Sequence, residues 1–206
     1  RLRGDPYASG GTSTVAVIRR ADRSLAELAI PHSLKRELVL ALAEPTLPER
    51  SVRLVLRGRP GSGRTTTLAA LAARVGKPLA MIDAEILPRG RALATALRGE
   101  LRLALLRGAV PCVCGLELLD RDDNEGSEHV REVLRSHPGP IGFRTSPELR
   151  VPLDPGFIDF TLPALGEGDR IEFWRGALSR RQLDPAGADL LAARFRIGPG
   201  TIERVV

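Results

Sequence analysis

Val52-Arg53-Leu54-Val55-Leu56, then Gly58-Arg59-Pro60-Gly61-Ser62-Gly63-Arg64-Thr65, then Thr66-Thr67-Leu68-Ala69-Ala70-Leu71-Ala72-Ala73-Arg74-Val75, decides the fold. The first part is a short apolar run of strand type. The last is rich in helix formers and is closed by Gly76. The middle fits the phosphate-binding pattern G-x-x-x-x-G-K-[ST], with Arg64 in the lysine position. A chain that wraps a phosphate needs backbone angles that a Cβ obstructs, which is why glycines recur there. Wrapped so, successive N–H groups form an anion nest, and the following helix adds its positive end. A bare glycine-rich turn would also supply glycines, but strand, loop and helix in this order are the setting the motif requires.

The bulk composition narrows the classes. At 206 residues the chain accommodates one ordinary domain and a small appendage. It runs from Arg1 to Val206, the latter within an expected helix, and reads as a piece of a longer protein. No apolar run approaches the roughly 20 residues of a membrane span, and Arg1-Leu2-Arg3 lacks the apolar stretch of a secretion signal. The net charge is +6, but Lys35 and Lys77 are the only lysines and the arginines are scattered. With one tryptophan and one tyrosine, stacking platforms are scarce, so nucleic-acid contact is not expected. Cys112 and Cys114 sit at i and i+2, on one face of a strand, and read as buried reduced thiols of a cytoplasmic protein rather than metal ligands.

The rest of the chain alternates. Ser9-Gly10-Gly11-Thr12-Ser13 reads as a spacer, and Thr14–Ile18 as a short strand of an upstream part. Asp22–Pro31 leads into a helix capped by Ser33, with Leu34, Leu38 and Leu42 on one face, ended by Pro45 and Pro48. Further strands are expected at Pro78–Asp83, Ala109–Cys114 (with Pro111 inside), Ile141–Thr145 and Phe157–Leu162. Helices are expected along Leu93–Leu105 and around Val130–Leu134, with a polar loop at Asp120–Gly126. Alternating strands and helices predict an α/β fold with a parallel five-stranded sheet flanked by helices, its ligands at the carboxyl ends of the strands. The tail is all helical. Ile171, Trp174 and Leu178 share a face, Asp184-Pro185 starts a second helix running through Phe195, and a third starts near Thr201. The expected division is 1–21 linker, 22–165 α/β domain and 166–206 helical lid.

Four blocks resemble the AAA+ ATPases: Leu25–Pro31, similar to the segment flanking adenine; the phosphate loop; Ile158–Pro163 with Asp169–Trp174, similar to the opening of the lid; and Leu190–Ala192 through Gly198–Ile202, similar to its later helices. Together they cover roughly residues 22 to 206. The resemblance implies ATP or ADP with Mg²⁺, hydrolysis coupled to motion, and a homo-oligomeric ring acting on an unidentified protein partner. It implies that Gly58, Arg59, Pro60, Gly61, Ser62, Gly63, Arg64, Thr65 and Thr66 surround the phosphates and that Ala29 and Ile30 flank adenine. Thr65 would bind the metal, and Thr145 would orient the attacking water. The third strand departs from the family, ending Cys114-Gly115-Leu116-Glu117 where Asp-Glu is expected. Glu117 is the nearest catalytic acid, and equally an ordinary solvated helix-start carboxylate. Arg150 is the candidate for a finger reaching the neighbouring subunit, and Arg204 for a lid arginine. Three functions follow: an ATPase; a pseudo-ATPase serving as a structural or regulatory subunit; and a P-loop small-molecule kinase, whose lid would be inserted within the sheet.

Overall fold

The structure, a computed structural model, describes residues 15–43, 51–115, 124–148 and 157–206. Glu117, Asp120, Arg150, Pro45, Pro48 and the spacer at 9–13 lie outside them.

Six strands form one sheet: β1 (Val17–Arg19), β2 (Arg53–Arg57), β3 (Leu79–Asp83), β4 (Val110–Cys114), β5 (Ile141–Thr145) and β6 (Ile158–Thr161), in the order β1-β3-β4-β5-β2-β6. Strands β2 to β6 are mutually parallel, as the alternating pattern predicts. The segment assigned to an upstream part instead pairs antiparallel with β3, Val17 opposite Met81, and extends this sheet at its edge. Pro111 is tolerated in central β4 for a geometric reason. Val110 N donates to Pro78 O, so the next main-chain nitrogen faces β5, where pairing begins only at Cys112.

The helices are α1 (His32–Ala43), α2 (Arg64–Arg74), α3 (Arg91–Leu106), α4 (Asn124–Ser136), α5 (Glu167–Arg180), α6 (Ala188–Arg194) and α7 (Pro199–Val205). Strand alternation sends Val55, Val113, Ile141 and Phe143 into one core with Leu97, Leu101, Val130 and Leu134 of α3 and α4. It sends Leu54, Leu56 and Cys112 into another with Leu38 of α1 and Leu68 and Leu71 of α2. Phe143 is fully buried, so truncating it would cost about 3–5 kcal/mol. Ser33 is not a cap: Lys35 N already bonds Pro31 O, and α1 begins at His32, one residue before it. Asp184 does cap, accepting from Ala186 N at 2.9 Å, but Pro185–Gly187 forms a 3-10 turn before α6 starts.

Helices α5 to α7 follow β6 and enclose their own small core of Trp174, Ala177, Leu178, Ala188, Ala192 and Ile202. Arg170 is buried and joins this unit internally and to the chain that enters it. Its Nε donates to Ala192 O at 2.8 Å and its Nη1 to Leu165 O at 3.0 Å. These two carbonyls take up part of the buried guanidinium's donor capacity and offset part of its desolvation.

Candidate functional site

The loop after β2 turns sharply into α2. Ser62 N donates to Arg59 O at 3.1 Å, and Gly61 and Gly63 have φ of +79° and +90°. L-residues with a Cβ rarely adopt those angles, which explains the glycine spacing. The amides of Gly61, Gly63, Thr65 and Thr66 make no backbone bond among the described residues. They and the 11-residue helix α2 behind them are the donors and positive field that an anion would need there. Ser62 Oγ is buried without a partner and packs over Gly58, where a Cβ would lie 2.6 Å from it.

The first turn of α7 lies directly on this loop. Gly200 N donates to Gly61 O at 2.8 Å. A Cβ on Gly61 would collide with the Thr201 hydroxyl, and one on Gly198 would come within 2.5 Å of Gly61 O. Backbone therefore meets backbone, which only small residues allow. Arg204 turns back onto its own helix, donating to Gly200 O at 3.3 Å and Thr201 Oγ1 at 3.4 Å. A second tie holds the helical unit to the leader: Arg23 meets Glu203 at 2.7 Å, and Arg180 also bonds that carboxylate.

The leader forms one wall of a cleft of about 460 Å³. Ser24 N and Oγ donate to the Glu27 carboxylate at 2.7 and 2.6 Å, closing a 3-10 turn at Leu25–Glu27. The hydroxyl bond first and the amide bond second hold Glu27 below the usual carboxylate range. Ala29 and Ile30 follow and line the cleft, facing Pro163–Leu165 and Phe173 of α5. A larger trough of about 860 Å³ shares Pro163–Leu165 and reaches Arg59, Pro60, Ser62 and Thr201. Pro163–Leu165 thus stand between the leader cleft and the trough that reaches the phosphate-type loop, lining both.

At the strand ends the arrangement departs from the expectation. Strand alternation puts Gly142 and Arg144 on the α2 face and Phe143 and Thr145 on the other. Leu68 packs over Gly142, where a Cβ would meet it at 3.2 Å. Thr65, one turn earlier, then lies over Arg144, whose Nη1 donates to Thr65 Oγ1 at 3.2 Å. Thr145 reaches the loop through its carbonyl, which accepts from Gly58 N at 3.3 Å and from the Arg64 guanidinium. Its hydroxyl is buried on the opposite face without a partner. Arg64 thus bonds the end of β5. Sequence reasoning missed Arg144; its signal was a cation at an even offset from Gly142, legible only once the register is known.

Arg64, Arg144, Asp83, Glu85, Cys114 and Gly115 line one small cleft of about 200 Å³. Gly115 has φ +74°, and a Cβ there would lie 2.7 Å from Asp83 Oδ1 and 2.8 Å from Glu85 Cγ. An acid cannot be carried at Gly115 without displacing both. Desolvation, with Cys114 second, pushes the Cys112 thiol up to about 12, while Arg144 and Arg64 pull it the other way. Both cysteines are free and buried, as composition suggested.

These residues do not fit a magnesium ion. A hard cation wants oxygen ligands; Asp83 and Glu85 line a cleft with two arginines, and the loop hydroxyl that would offer the next oxygen accepts from the Arg144 guanidinium. A divalent ion on Thr65 Oγ1 would sit about 5 Å from that positive charge, a repulsion of roughly 6 kcal/mol at an effective dielectric of about 20. No group of three or more His, Cys, Asp or Glu is gathered for a metal among the described residues.

No family model and no curated protein matches the chain. Among solved structures it is similar to a proline-to-glycine mutant of RuvB from Thermotoga maritima, at 20% identity and a TM-score of 0.63 over 90% of this chain. It spans 64% of that RuvB chain, somewhat less than two thirds. It is also similar to a katanin structure solved to explain katanin self-assembly, at 17% identity and a TM-score of 0.62 over 88% of this chain and 68% of that one. Such identities speak for architecture, and they agree with the parallel sheet, the glycine loop and the helices that follow the last strand. The chain has the AAA+ P-loop NTPase fold.

Proposed function

We propose that this chain is an adenine-nucleotide-binding AAA+ module in which occupancy by ATP or ADP, rather than turnover, is the signal. The carrying observation is the loop at Gly58–Thr66, where the amides of Gly61, Gly63, Thr65 and Thr66 make no backbone bond among the described residues, with Pro163–Leu165 lining both the trough at the loop and the cleft at the leader residues Ala29 and Ile30. The phosphates would lie on the loop amides and adenine between the leader and Pro163–Leu165. The separate core of α5–α7 supports reading 166–206 as a lid on a 22–165 nucleotide domain.

The pseudo-ATPase reading is favoured over the ATPase by one pair of facts. Gly115 has no room for an acid, and Thr65 is engaged by Arg144. Glu117 stays the candidate acid for any residual hydrolysis, while Thr145, whose hydroxyl is buried on the face away from α2, would have to turn to orient the attacking water. The kinase reading loses support because the helical unit follows the sheet instead of interrupting it. By analogy with the self-assembly in the katanin structure's description, the module would work in a homo-oligomeric ring. Buried reduced thiols suit a cytoplasmic setting.

Calorimetry with ATP and ADP, paired with a phosphate-release assay, tests this. Binding with release at background is expected. Absence of binding sinks the reading. Release that disappears in Glu117→Gln restores the ATPase.

A further inference from the structure

The nucleotide sites of such loops ordinarily share their work between a lysine and a divalent ion, and here both are replaced by arginine chemistry. Arg144 is half-buried on β5, held on the α2 face by strand alternation, with Nη1 3.2 Å from Thr65 Oγ1. That hydroxyl opens α2, where the helix field is most positive and a phosphate is most favoured. Arg64 and Arg144 line the same cleft. Two guanidiniums cannot be deprotonated near neutral pH, and each offers a rigid fork suited to phosphate oxygens.

We propose that Arg144 stands in for the divalent cation of this loop, so that the chain takes nucleoside di- and triphosphates in their metal-free form. The inference rests on the nucleotide-binding reading above. Free ATP carries more negative charge than its magnesium complex, and the extra charge is what a second fixed guanidinium neutralises. Added magnesium would compete twice, by masking the phosphates and by repelling Arg144 from Thr65. Asp83 and Glu85 line the same cleft, so a polyphosphate entering it would compete with two carboxylates for the arginines.

The test is calorimetric titration of the whole chain with ATP and with ADP, once in EDTA and once in excess Mg²⁺. Equal or tighter binding in EDTA is the expected result. Arg144→Ala should weaken binding in EDTA roughly 10- to 100-fold, the loss expected for one charge-assisted contact. Arg144→Lys, which keeps the charge on a similar stem, should recover part of it and controls for misfolding. Binding by the native chain only in Mg²⁺ overturns this inference and leaves the nucleotide reading standing. Binding in EDTA that Arg144→Ala does not weaken also overturns it. Absence of binding in both buffers overturns the nucleotide reading, and this one with it.

Discussion

Gly200 donates its amide to the carbonyl of Gly61 at 2.8 Å, so the last helix rests on the loop that opens α2. This backbone bond ties the helical unit to the glycine loop without any side chain. On the proposed reading, a ligand that shifts the Gly61 carbonyl would be felt at α7 through this bond.

Gly61→Ala should fail on both counts. Its φ of +79° and the Thr201 hydroxyl leave no room for a methyl group. We expect about 1–3 kcal/mol of destabilisation, from the left-handed backbone and the clash together. Urea unfolding checks the stability, and nucleotide titration should show binding lost. A variant as stable as the native chain would mean the α7 contact is not held in solution.

Glu203→Gln separates latch from stability. The Arg23–Glu203 pair at 2.7 Å is partly exposed, so the global cost should stay under about 1 kcal/mol. The local effect should be larger. Hydrogen exchange of the Gly200 and Ile202 amides should accelerate severalfold as α7 lifts. Unchanged exchange would show that the backbone contact alone holds the helix down.

Gly115→Asp offers the chain back an acid at the end of β4. The position has φ +74° and is crowded by Asp83 and Glu85. A new carboxylate would meet both steric and like-charge opposition. The expected result is a lower melting temperature, by about 1–3 kcal/mol of stability, and no gain in phosphate release. A gain in release would mean that Asp83 and Glu85 yield easily.

His137 sets a pH dependence. Desolvation first, and the Arg53 charge second, lower its pKa below the ordinary 6.5. The unfolded chain therefore binds the proton more readily than the folded one. The stability is fully present above about pH 6.5 and is lost as pH falls towards the depressed folded value. Melting temperatures should drop between pH 7 and 5.5, and His137→Gln should flatten that slope. An equal slope in the variant would assign the effect elsewhere.

The thiols give a simple check on packing. With Cys112 pushed up to about 12 and both side chains buried, neither should react with a thiol reagent at pH 8 in the folded chain. Both should react once urea unfolds it. Rapid labelling of the native protein would contradict the burial of β4.

The loop, its strand and its helix were legible because their signals are local: glycine spacing, an apolar run, a row of helix formers. The helical tail was legible for the same reason, through Trp174 and Leu178 on one face and the proline after Asp184. Errors fell where one residue's backbone bond decided the boundary, as with Ser33, already inside α1 because Pro31 accepts from Lys35. The short strand at Val17–Arg19 was visible, but its pairing with β3 was not, since an edge strand of three residues carries no address in its own sequence.

Sequence alone determined that this chain makes a parallel α/β sheet with a glycine loop at a helix start, because those features depend on neighbours along the chain. Tertiary structure alone decided that Arg144 meets Thr65, that Gly115 is sealed by Asp83 and Glu85, and that Gly200 bonds Gly61. Each of those pairs joins segments far apart in sequence. Their meeting is set by strand order, register and packing, which no short stretch of residues encodes.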